Sequence, residues 1–406
     1  MNVALAHRDL SGDQITAREL LKGVKVVDAD THITEWPDLW TSRAPARFKD
    51  RMPQRKILDG RTAWLIGDYE LGRNYGFSAI MKDGAKLPGL EFFDHPLEDV
   101  TEGAYDLKAR LAYLDDNGIA AQIAYTNLLG FGGGKSMKVD AELREMAIQI
   151  QNEAMAEMQA ESNSRIYPMA MLPWWDVDKA VAEGERCADM GLRGINIHAN
   201  PQHHGLPDLG HQHWTPLWEL CEDKGLPVNF HVGFSQGAEG WENPDVWPSL
   251  TGYEKYAVSG SMLFAPNMIT ILNLLMSGIF KRHPKLQFTS VESAVGWVPF
   301  MLEQLQYMVE ENMPDWTASV TELFREHFSI CFWAEKQGLV DAVRRVGADS
   351  IMFETDWPHP TCLYPDPLGY HLGSLEQLSE EERALVFGGN AERLYNLDLS
   401  AAPAAS

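Results

Sequence analysis

The chain has 406 residues, of which 45% are hydrophobic and 23% are charged, so it is long enough to bury a large core without disulfide or metal staples. Its 58 Asp and Glu against 34 Lys and Arg give a formal net charge of -24, which argues against nucleic acid or an anionic membrane as the main partner, because both require basic surfaces. The amino terminus lacks the features of a signal peptide, no apolar stretch approaches the roughly 18 residues of a membrane span, and the four cysteines form no CxxC pair, so we expect a cytoplasmic protein with reduced thiols.

Short β-branched or aromatic segments alternate with amphipathic segments after a peripheral amino-terminal extension over 1–23. Several of the short segments lack polar alternation, which is typical of strands covered on both faces. The predicted strands are 24–32, 119–126, 165–172, 192–199, 226–233, 286–293, 327–333 and 351–357. The predicted helices are 105–118, 140–162, 177–191, 215–225, 269–284 and 380–396.

Eight strands in alternation with helices predict an α/β protein with a closed (β/α)8 TIM barrel, formed by a single domain over 24–398. A doubly wound open sheet is the alternative fold. Residues 35–104 form an insertion after strand 1 that contains a hairpin-like segment over 61–72. In a barrel such an insertion lies over the carboxyl-terminal face, where it can act as a lid or pocket wall. Residues 399–406 are expected to be a disordered tail.

Polar side chains follow five of the eight predicted strands, at the barrel face where active sites are built. Asp30 and His32 alternate on the first strand and therefore share a face. A single such residue is more often a hydrogen-bonding partner or a helix cap, but their convergence favours a site. The strand-end candidates are Asp30, His32, His198, His231, Glu292, Asp356 and His359. Two imidazoles and two carboxylates suit one divalent metal, Zn²⁺ first and Mn²⁺ or Fe²⁺ as alternatives, which could polarise a carbonyl or activate water.

Two loops carry motifs that are less specific. The glycine-rich loop over 130–136 resembles a phosphate-binding loop, but three residues rather than four separate its two key glycines, so we reject a nucleotide site. A histidine-rich loop follows the fourth strand and is expected to be mostly solvated rather than a second metal site. Its histidines are His203, His204, His211 and His213.

Tryptophans near the predicted strand ends are candidates for an apolar substrate pocket rather than for the core alone. Trp241 lies in the loop after the fifth strand, Trp297 follows the sixth and Trp357 ends the eighth. Together with His198 and His359, these three residues are the predicted substrate contacts.

Four sequence segments resemble the amidohydrolase superfamily, and more narrowly its amidohydrolase-related, aminocarboxymuconate-semialdehyde-decarboxylase-like branch. They are DADTH in the first strand, NFHVG in the fifth, VESAVGWVPF after the sixth and FETDWPHP in the eighth, and the resemblance covers about residues 24–398. It implies a metal-dependent barrel in which Asp30, His32, His231 and Asp356 bind the metal and Asp356 can also carry a proton. It also implies a homo-oligomer, with a dimer as the expected form.

The chain departs from the family pattern at two positions. Asp30 stands where many members have His, and Glu292 stands where the decarboxylases of the family have a catalytic His. The second difference favours a metal-dependent hydrolase of an apolar aromatic or cyclic carbonyl or carboxylate compound, with Asp356 and Glu292 as acid and base beside His231. The alternatives are a non-oxidative decarboxylase of an aromatic or unsaturated carboxylic acid and a non-catalytic ligand-binding barrel.

Overall fold

The computed structural model describes residues 15–74, 76–130, 135, 137–232 and 247–405, and its central feature is a ring of parallel strands. In chain order the strands are β1 (Val27–Ile33), β2 (Gln54–Leu58), β3 (Arg61–Ile66), β4 (Tyr69–Arg73), β5 (Ala121–Thr126), β6 (Ile166–Pro168), β7 (Ala170–Met171), β8 (Ile195–Asn196), β9 (Val228–His231), β10 (Phe288–Val291), β11 (Phe328–Phe332) and β12 (Ile351–Phe353). All of them except β2, β3 and β4 are buried along their whole length, as expected for strands covered on both faces.

The parallel strands pair in the order β1-β5-β6 and β7-β8-β9-β10-β11-β12. Only Met169 separates β6 from β7, so these two short strands fill one barrel position. A parallel bridge between Thr31 and Trp357 joins β1 to the segment after β12 and closes the ring. The predicted (β/α)8 barrel is therefore confirmed, and each of the eight predicted strands coincides with one position in it.

Helices surround the barrel and connect its strands. They are α1 (Ala17–Leu20), α2 (Leu107–Asn117), α3 (Ala141–Glu161), α4 (Val177–Asp189), α5 (Thr215–Lys224), α6 (Gly252–Ser261), α7 (Phe264–Met276), α8 (Ile279–Arg282), α9 (Val298–Asn312), α10 (Val320–His327), α11 (Gln337–Arg345), α12 (Pro367–Tyr370), α13 (Leu372–Leu375), α14 (Glu380–Ala384) and α15 (Asn390–Leu394). The helix predicted over 380–396 is interrupted by a π-helical turn at Leu385–Gly389. Within that turn the backbone of Gly388 packs against Lys25, where an added Cβ would lie 2.1 Å from the carbonyl oxygen.

The insertion after β1 forms a small antiparallel sheet in the order β2-β3-β4, in which β3 and β4 are the hairpin suggested by the sequence. The rest of the insertion reaches the carboxyl-terminal end of the barrel. Ala79 donates a backbone hydrogen bond of 2.8 Å to Pro358, just after β12. The ring of Phe92 lies edge-on to His359, with 5.2 Å between the ring centroids. The insertion therefore forms a wall beside the strand ends.

The segment after α15 closes the opposite end of the barrel, contrary to the disordered tail predicted over 399–406. Leu399, Ala402 and Ala405 are buried, and the first two pack with residues that begin β1 and β5. Ala405 exchanges backbone hydrogen bonds with Gly23 and Val24, at 3.0 and 2.9 Å. The sequence suggested disorder because alanine and serine carry little apolar surface, yet backbone hydrogen bonds and burial hold this segment against the barrel.

One helical stretch, Gly252–Met276, is long and apolar enough to cross a membrane by length and composition. Its mean hydropathy is 1.4, and 33% of its most apolar window is buried. The sequence predicts no membrane span, because no uninterrupted apolar run approaches about 18 residues. A single stretch of this kind is weak evidence for a membrane span, since helices of water-soluble proteins meet the same criterion.

Candidate active site

A bulge in β1 sets the direction of its acidic and histidine side chains. Asp28 pairs with Gln122 and Thr31 with Ala124, so three steps along β1 match two steps along β5. Such an extra residue reverses the alternation of the side chains. Asp28 and Thr31 both contact the layer between the barrel and α2. Asp30 and His32 share the other face of the strand and turn into the barrel mouth.

The structure brings the four predicted metal ligands together at the carboxyl-terminal end of the barrel, where all four are buried. The His32 Nε2 atom lies 3.6 Å from Asp30 Oδ1 and 3.3 Å from Asp356 Oδ1. His231, the last residue of β9, has its Nε2 atom 3.4 Å from the same Asp30 oxygen. Strands 1, 5 and 8 of the barrel thus contribute to a single cluster.

Hydrogen bonding assigns the tautomer of His231. Its Nδ1 atom lies 2.8 Å from the carbonyl oxygen of Val232, which can only accept a hydrogen bond. A neutral His231 therefore carries its proton on Nδ1, and its Nε2 lone pair is directed toward Asp30. This is the arrangement in which histidines bind metals, with the second ring nitrogen held by a protein oxygen.

Glu292 and His359 extend the cluster on two sides. Glu292 Oε2 lies 3.5 Å from His231 Nδ1. His359 Nδ1 lies 3.0 Å from Asp356 Oδ1, and its Nε2 lies 2.9 Å from Asn127 Oδ1. Ligand atoms of Asp30, His32, His231 and Glu292 all fall within 4.8 Å of one another, and so do those of His32, Asp356 and His359.

The donor atoms of this cluster fit a divalent cation. Both carboxylate oxygens of Asp30 and the Oδ1 atom of Asp356 are buried and accept no hydrogen bond of normal geometry from any described residue. Buried carboxylates without such partners are costly unless a cation or a proton compensates them. Neutral imidazole nitrogens and carboxylate oxygens are ligands that Zn²⁺ and Mn²⁺ accept.

Burial dominates the electrostatics of the acids. It raises the pKa of Asp30, and together with the charges of Glu292 and Asp30 it raises the pKa of Asp356 well above its usual range. Burial also raises the pKa of Glu292 to about 8, against the opposing charge of His231. The like charges of three acids in one buried space therefore favour protonation of these acids unless a cation is bound.

Burial lowers the pKa of both imidazoles, but the charges around them differ. Burial, and next the neighbouring imidazole of His359, holds the pKa of His32 well below its usual range. For His231 burial is opposed by the charges of Asp30 and Glu292, and the pKa is raised. His32 is thus neutral near neutral pH, which is the form that binds a metal.

The two acids that follow β10 and β12 lie at strained positions of the backbone. Glu292 and Asp356 have φ angles of 51° and 56°, in the left-handed region. Such conformations cost on the order of 1–3 kcal/mol each and are concentrated at functional sites. The amide of Glu292 donates to Glu354 Oε2 at 3.1 Å, and the amide of Asp356 donates to the Asp30 carbonyl at 3.0 Å. These bonds hold both turns in place.

The predicted substrate contacts lie in different surroundings. His198 is buried, its Nδ1 atom accepts a hydrogen bond of 3.1 Å from Asn200, and its ring lies 5.0 Å from that of Trp174. His359 belongs to the acid and histidine cluster. Trp241 lies outside the described residues. Trp297 is half-buried after Glu292, and its Nε1 atom donates to the Ser293 carbonyl at 2.7 Å.

Trp357 is directed away from the cluster, although it follows Asp356. Its ring stacks on Tyr113 of α2, with 4.1 Å between the ring centroids, and the Arg110 guanidinium lies 5.0 Å from the ring. The left-handed turn at Asp356 directs consecutive side chains to different sides. This ring therefore packs between the barrel and α2.

Several residues at the site were not singled out from the sequence. The Tyr125 ring lies 5.1 Å from that of His231, and Thr361 donates to Asp356 Oδ2 at 3.2 Å. Burial, and next the charges of Asp356 and Glu292, raise the pKa of Tyr256 on α6. Tyr125 could have been found, because it is the partner of His32 in the β1–β5 register.

The two less specific loops do not add a second site in the part of the chain that is described. The clusters of metal-ligating side chains among the described residues contain no histidine of the loop after β8. His204 instead packs against Trp174, with ring centroids 5.3 Å apart, and His203 and His211 are exposed. Most of the glycine-rich loop over 130–136 lies outside the described residues.

Comparisons with known proteins agree with the barrel fold. The amidohydrolase family profile matches residues 27–397. Gamma-resorcylate decarboxylase of Rhizobium radiobacter is 25% identical over 354 residues, which cover 82% of this chain and 99% of that protein. Among solved structures, an amidohydrolase from Mycobacterium avium subsp. paratuberculosis has a TM-score of 0.72 and 23% identity, over 92% of this chain and 99% of that chain.

A 5-carboxyvanillate decarboxylase from Novosphingobium aromaticivorans, solved with manganese and 4-hydroxy-3-methoxy-5-nitrobenzoic acid, has a TM-score of 0.60 and 14% identity. The structural alignment covers 92% of this chain and 97% of that chain. Because the family profile spans almost the whole barrel, and because the barrel carries the acid and histidine cluster of a metal centre, the chain belongs to the amidohydrolase family and is a metal-dependent enzyme.

Proposed function

We propose that the protein is a non-oxidative decarboxylase that removes the carboxylate of a small aromatic acid with the help of a divalent metal. The observation that carries the proposal is the buried cluster of three acids and three imidazoles beside the rings of Tyr125 and Phe92. An aromatic acid needs both parts, since its ring requires an apolar wall and its carboxylate requires a cation. The relatives named gamma-resorcylate decarboxylase support the reaction class, with the alignment to the Rhizobium radiobacter protein spanning 99% of its length.

Asp30, His32, His231 and Asp356 would hold the metal in this proposal. When bound, a divalent metal would supply Lewis acidity toward the substrate carboxylate. The His231 tautomer and the buried Asp30 oxygens suit this role. Zn²⁺ and Mn²⁺ both fit the donor set, and manganese in related decarboxylase structures supports Mn²⁺ as the first ion to test.

In the proposed reaction the protein residues transfer one proton. Asp356 or Glu292 delivers a proton to the ring carbon that bears the carboxylate. The bond between that carbon and the carboxylate then breaks, its electron pair returns to the ring, and carbon dioxide leaves. The acid that gave the proton regains one from water. Tyr125, Phe92 and His359 would hold the ring and exclude bulk water.

Hydrolysis is the second candidate, and one observation favours it. Glu292 occupies the position where the family resemblance expects a histidine in decarboxylases, and it lies 3.5 Å from His231. In that reaction Asp356 accepts a proton from the attacking water, and Glu292 protonates the leaving group. A non-catalytic barrel is set aside, because the chain is an enzyme of this family.

The experiment that separates the two reactions uses protein reconstituted with Mn²⁺ or Zn²⁺. Incubation with 2,6-dihydroxybenzoate or 5-carboxyvanillate in heavy-oxygen water should release carbon dioxide without label in the organic product. Asp356→Asn should lower the rate by about 100-fold or more, as expected for loss of an acid–base group. Labelled acid formed from an aromatic ester or lactone in the same water, with no carbon dioxide released from either carboxylic acid, would establish hydrolysis instead.

We also propose that the protein acts as a homo-oligomer in the cytoplasm, as a single barrel domain whose insertion forms one wall of the pocket. The position of Phe92 against His359 supports the role of the insertion. Sedimentation of the purified protein tests the oligomeric state.

A further inference from the structure

A buried arginine holds β1 from the outside of the barrel. Arg110 of α2 is 2% exposed. Its Nη1 atom donates to the carbonyl oxygen of His32 at 2.8 Å, and its Nη2 donates to Thr31 Oγ1 at 2.7 Å. Its Nε donates to Gln122 Oε1 at 2.9 Å. The Thr31 side chain lies on the face of β1 opposite the acid and histidine cluster, and Arg110 reaches it from that side.

The same hydrogen-bonded chain continues to the segment after β12. The Gln122 amide donates to Asp28 Oδ2 at 3.2 Å. Asp28 in turn accepts two hydrogen bonds from Thr355, at 2.8 Å from its amide and 2.7 Å from its hydroxyl. The Thr355 hydroxyl also accepts from the amide of Trp357 at 3.1 Å. Arg110, Gln122, Asp28 and Thr355, which we call the seam network, thus connect α2, β5, β1 and the residues after β12.

The seam network lies where the strand ladder of the barrel is interrupted, between β12 and β1. Strand β12 ends at Phe353, and the next residues turn through the left-handed conformation of Asp356. Two backbone hydrogen bonds cross from here to β1, one from Asp356 to the Asp30 carbonyl and one from His32 to the Trp357 carbonyl. The Asp28 carboxylate replaces the missing ladder partner of Thr355, directly before Asp356.

We propose that the seam network is a positioning device that holds Asp30 and His32 on one side and Asp356 on the other at metal-binding separation. The proposal rests on the metal site of the proposed function. At one end of the network, Arg110 bonds to the His32 carbonyl and to Thr31, which lies between Asp30 and His32. At the other end, Thr355 directly precedes Asp356. Loss of the network would therefore let β1 and the segment after β12 move apart. Partners behind metal ligands commonly contribute 10–100-fold, roughly, to metal affinity.

The test measures the dissociation constant of Mn²⁺ by competition with a chelator, so it does not depend on the reaction catalysed. Thr355→Val removes one hydroxyl and should weaken Mn²⁺ binding by about 10-fold or more, while Thr355→Ser should restore it. Arg110→Met should weaken binding to a similar or greater extent. If Arg110→Met does not fold, the Thr355 pair carries the test alone.

Arg165 offers a matched control at the other end of the barrel. It donates to the carbonyl oxygens of Ala120 and Ile119 at 2.9 and 2.8 Å, and to Asp115 at 2.6 Å. Arg165→Met should lower the melting temperature, as Arg110→Met does, but keep the Mn²⁺ affinity within about twofold. An equal loss of affinity in this control would show general destabilisation and overturn the proposal.

Wild-type Mn²⁺ affinity in both Arg110→Met and Thr355→Val would also overturn it. Failure of the metal site itself gives a different pattern, in which His231→Ala and Asp356→Asn bind Mn²⁺ as tightly as the wild type. Failure of the decarboxylase proposal appears only in the product assay and leaves the binding measurements unchanged.

Discussion

The imidazole of His359 lies parallel to that of His32, with 3.5 Å between the ring centroids and 12° between the planes. This stacking fixes the plane of His32 while the other edge of His359 reaches Asn127. His359 therefore supports His32, a proposed metal ligand, and is also a candidate substrate contact.

Replacing His359 should weaken the metal site without unfolding the barrel. In His359→Ala the His32 ring loses its stacking partner, and Asp356 loses a nitrogen 3.0 Å from its Oδ1 atom. We expect metal affinity and kcat/KM to fall by about 10–100-fold. Chelator competition and steady-state kinetics measure these quantities. Unchanged metal affinity would restrict His359 to the substrate side of the site.

Removal of the metal should abolish activity and lower stability. Metal present at about 100 times its Kd should add about 2.7 kcal/mol to the free energy of unfolding. His231→Ala should lose this stabilisation. His283→Ala is the matched control, because His283 is a buried histidine paired with Glu222 at 3.0 Å. Calorimetry with and without a chelator measures the effect, and full metal occupancy in His231→Ala would contradict the site.

Glu35 should make stability depend on pH. It accepts backbone hydrogen bonds from Asn127 and Leu128 at 2.9 and 2.8 Å, but burial raises its pKa to about 7 from an ordinary value of 4.5. The folded state therefore holds the proton more tightly than the unfolded state. Its contribution to stability is complete below pH 4.5 and is lost as the pH rises through about 7, by at most about 3 kcal/mol.

Glu35→Gln keeps an acceptor oxygen and removes this titration. The unfolding free energy of the wild type should therefore decrease relative to the variant between about pH 4.5 and pH 7. Glu98→Gln is the control with the opposite sign, because the hydrogen bond from Arg55 lowers the pKa of Glu98. Chemical denaturation at several pH values measures both slopes. Parallel curves for wild type and Glu35→Gln would refute the prediction.

The carboxyl-terminal segment should contribute to stability. Ala402 is buried and Ala404 is exposed, two residues apart. Ala402→Asp places an unpaired carboxylate against the narrow end of the barrel and should cost several kcal/mol, whereas Ala404→Asp adds the same charge in water and should cost less than about 0.5 kcal/mol. Thermal unfolding of the two variants provides the comparison. Equal melting temperatures would contradict the packing of this segment.

Sequence patterns predicted the barrel well, because continuous apolar runs mark strands that are buried on both faces. The strand-end rule also identified the residues that the structure collects around Asp30. The direction of Trp357 could not be predicted, because it depends on the left-handed turn at Asp356. The approach of Phe92 to His359 depends on how a long insertion folds back, and the burial of Ala402 depends on the shape of a cavity that no local pattern encodes.

The chemistry of the protein depends on the backbone path of β1 as well as on its composition. Deleting Ala29 would remove the extra residue, yet Asp28 and Thr31 would still share one face of a regular strand, with Asp30 and His32 on the other. The undeleted sequence in a regular strand would instead turn Asp28 into the mouth together with Asp30 and His32, away from Gln122 and Thr355. A homologue could thus keep all the same functional residues and yet lose these contacts, so the register of this strand should be checked before activity is transferred between relatives.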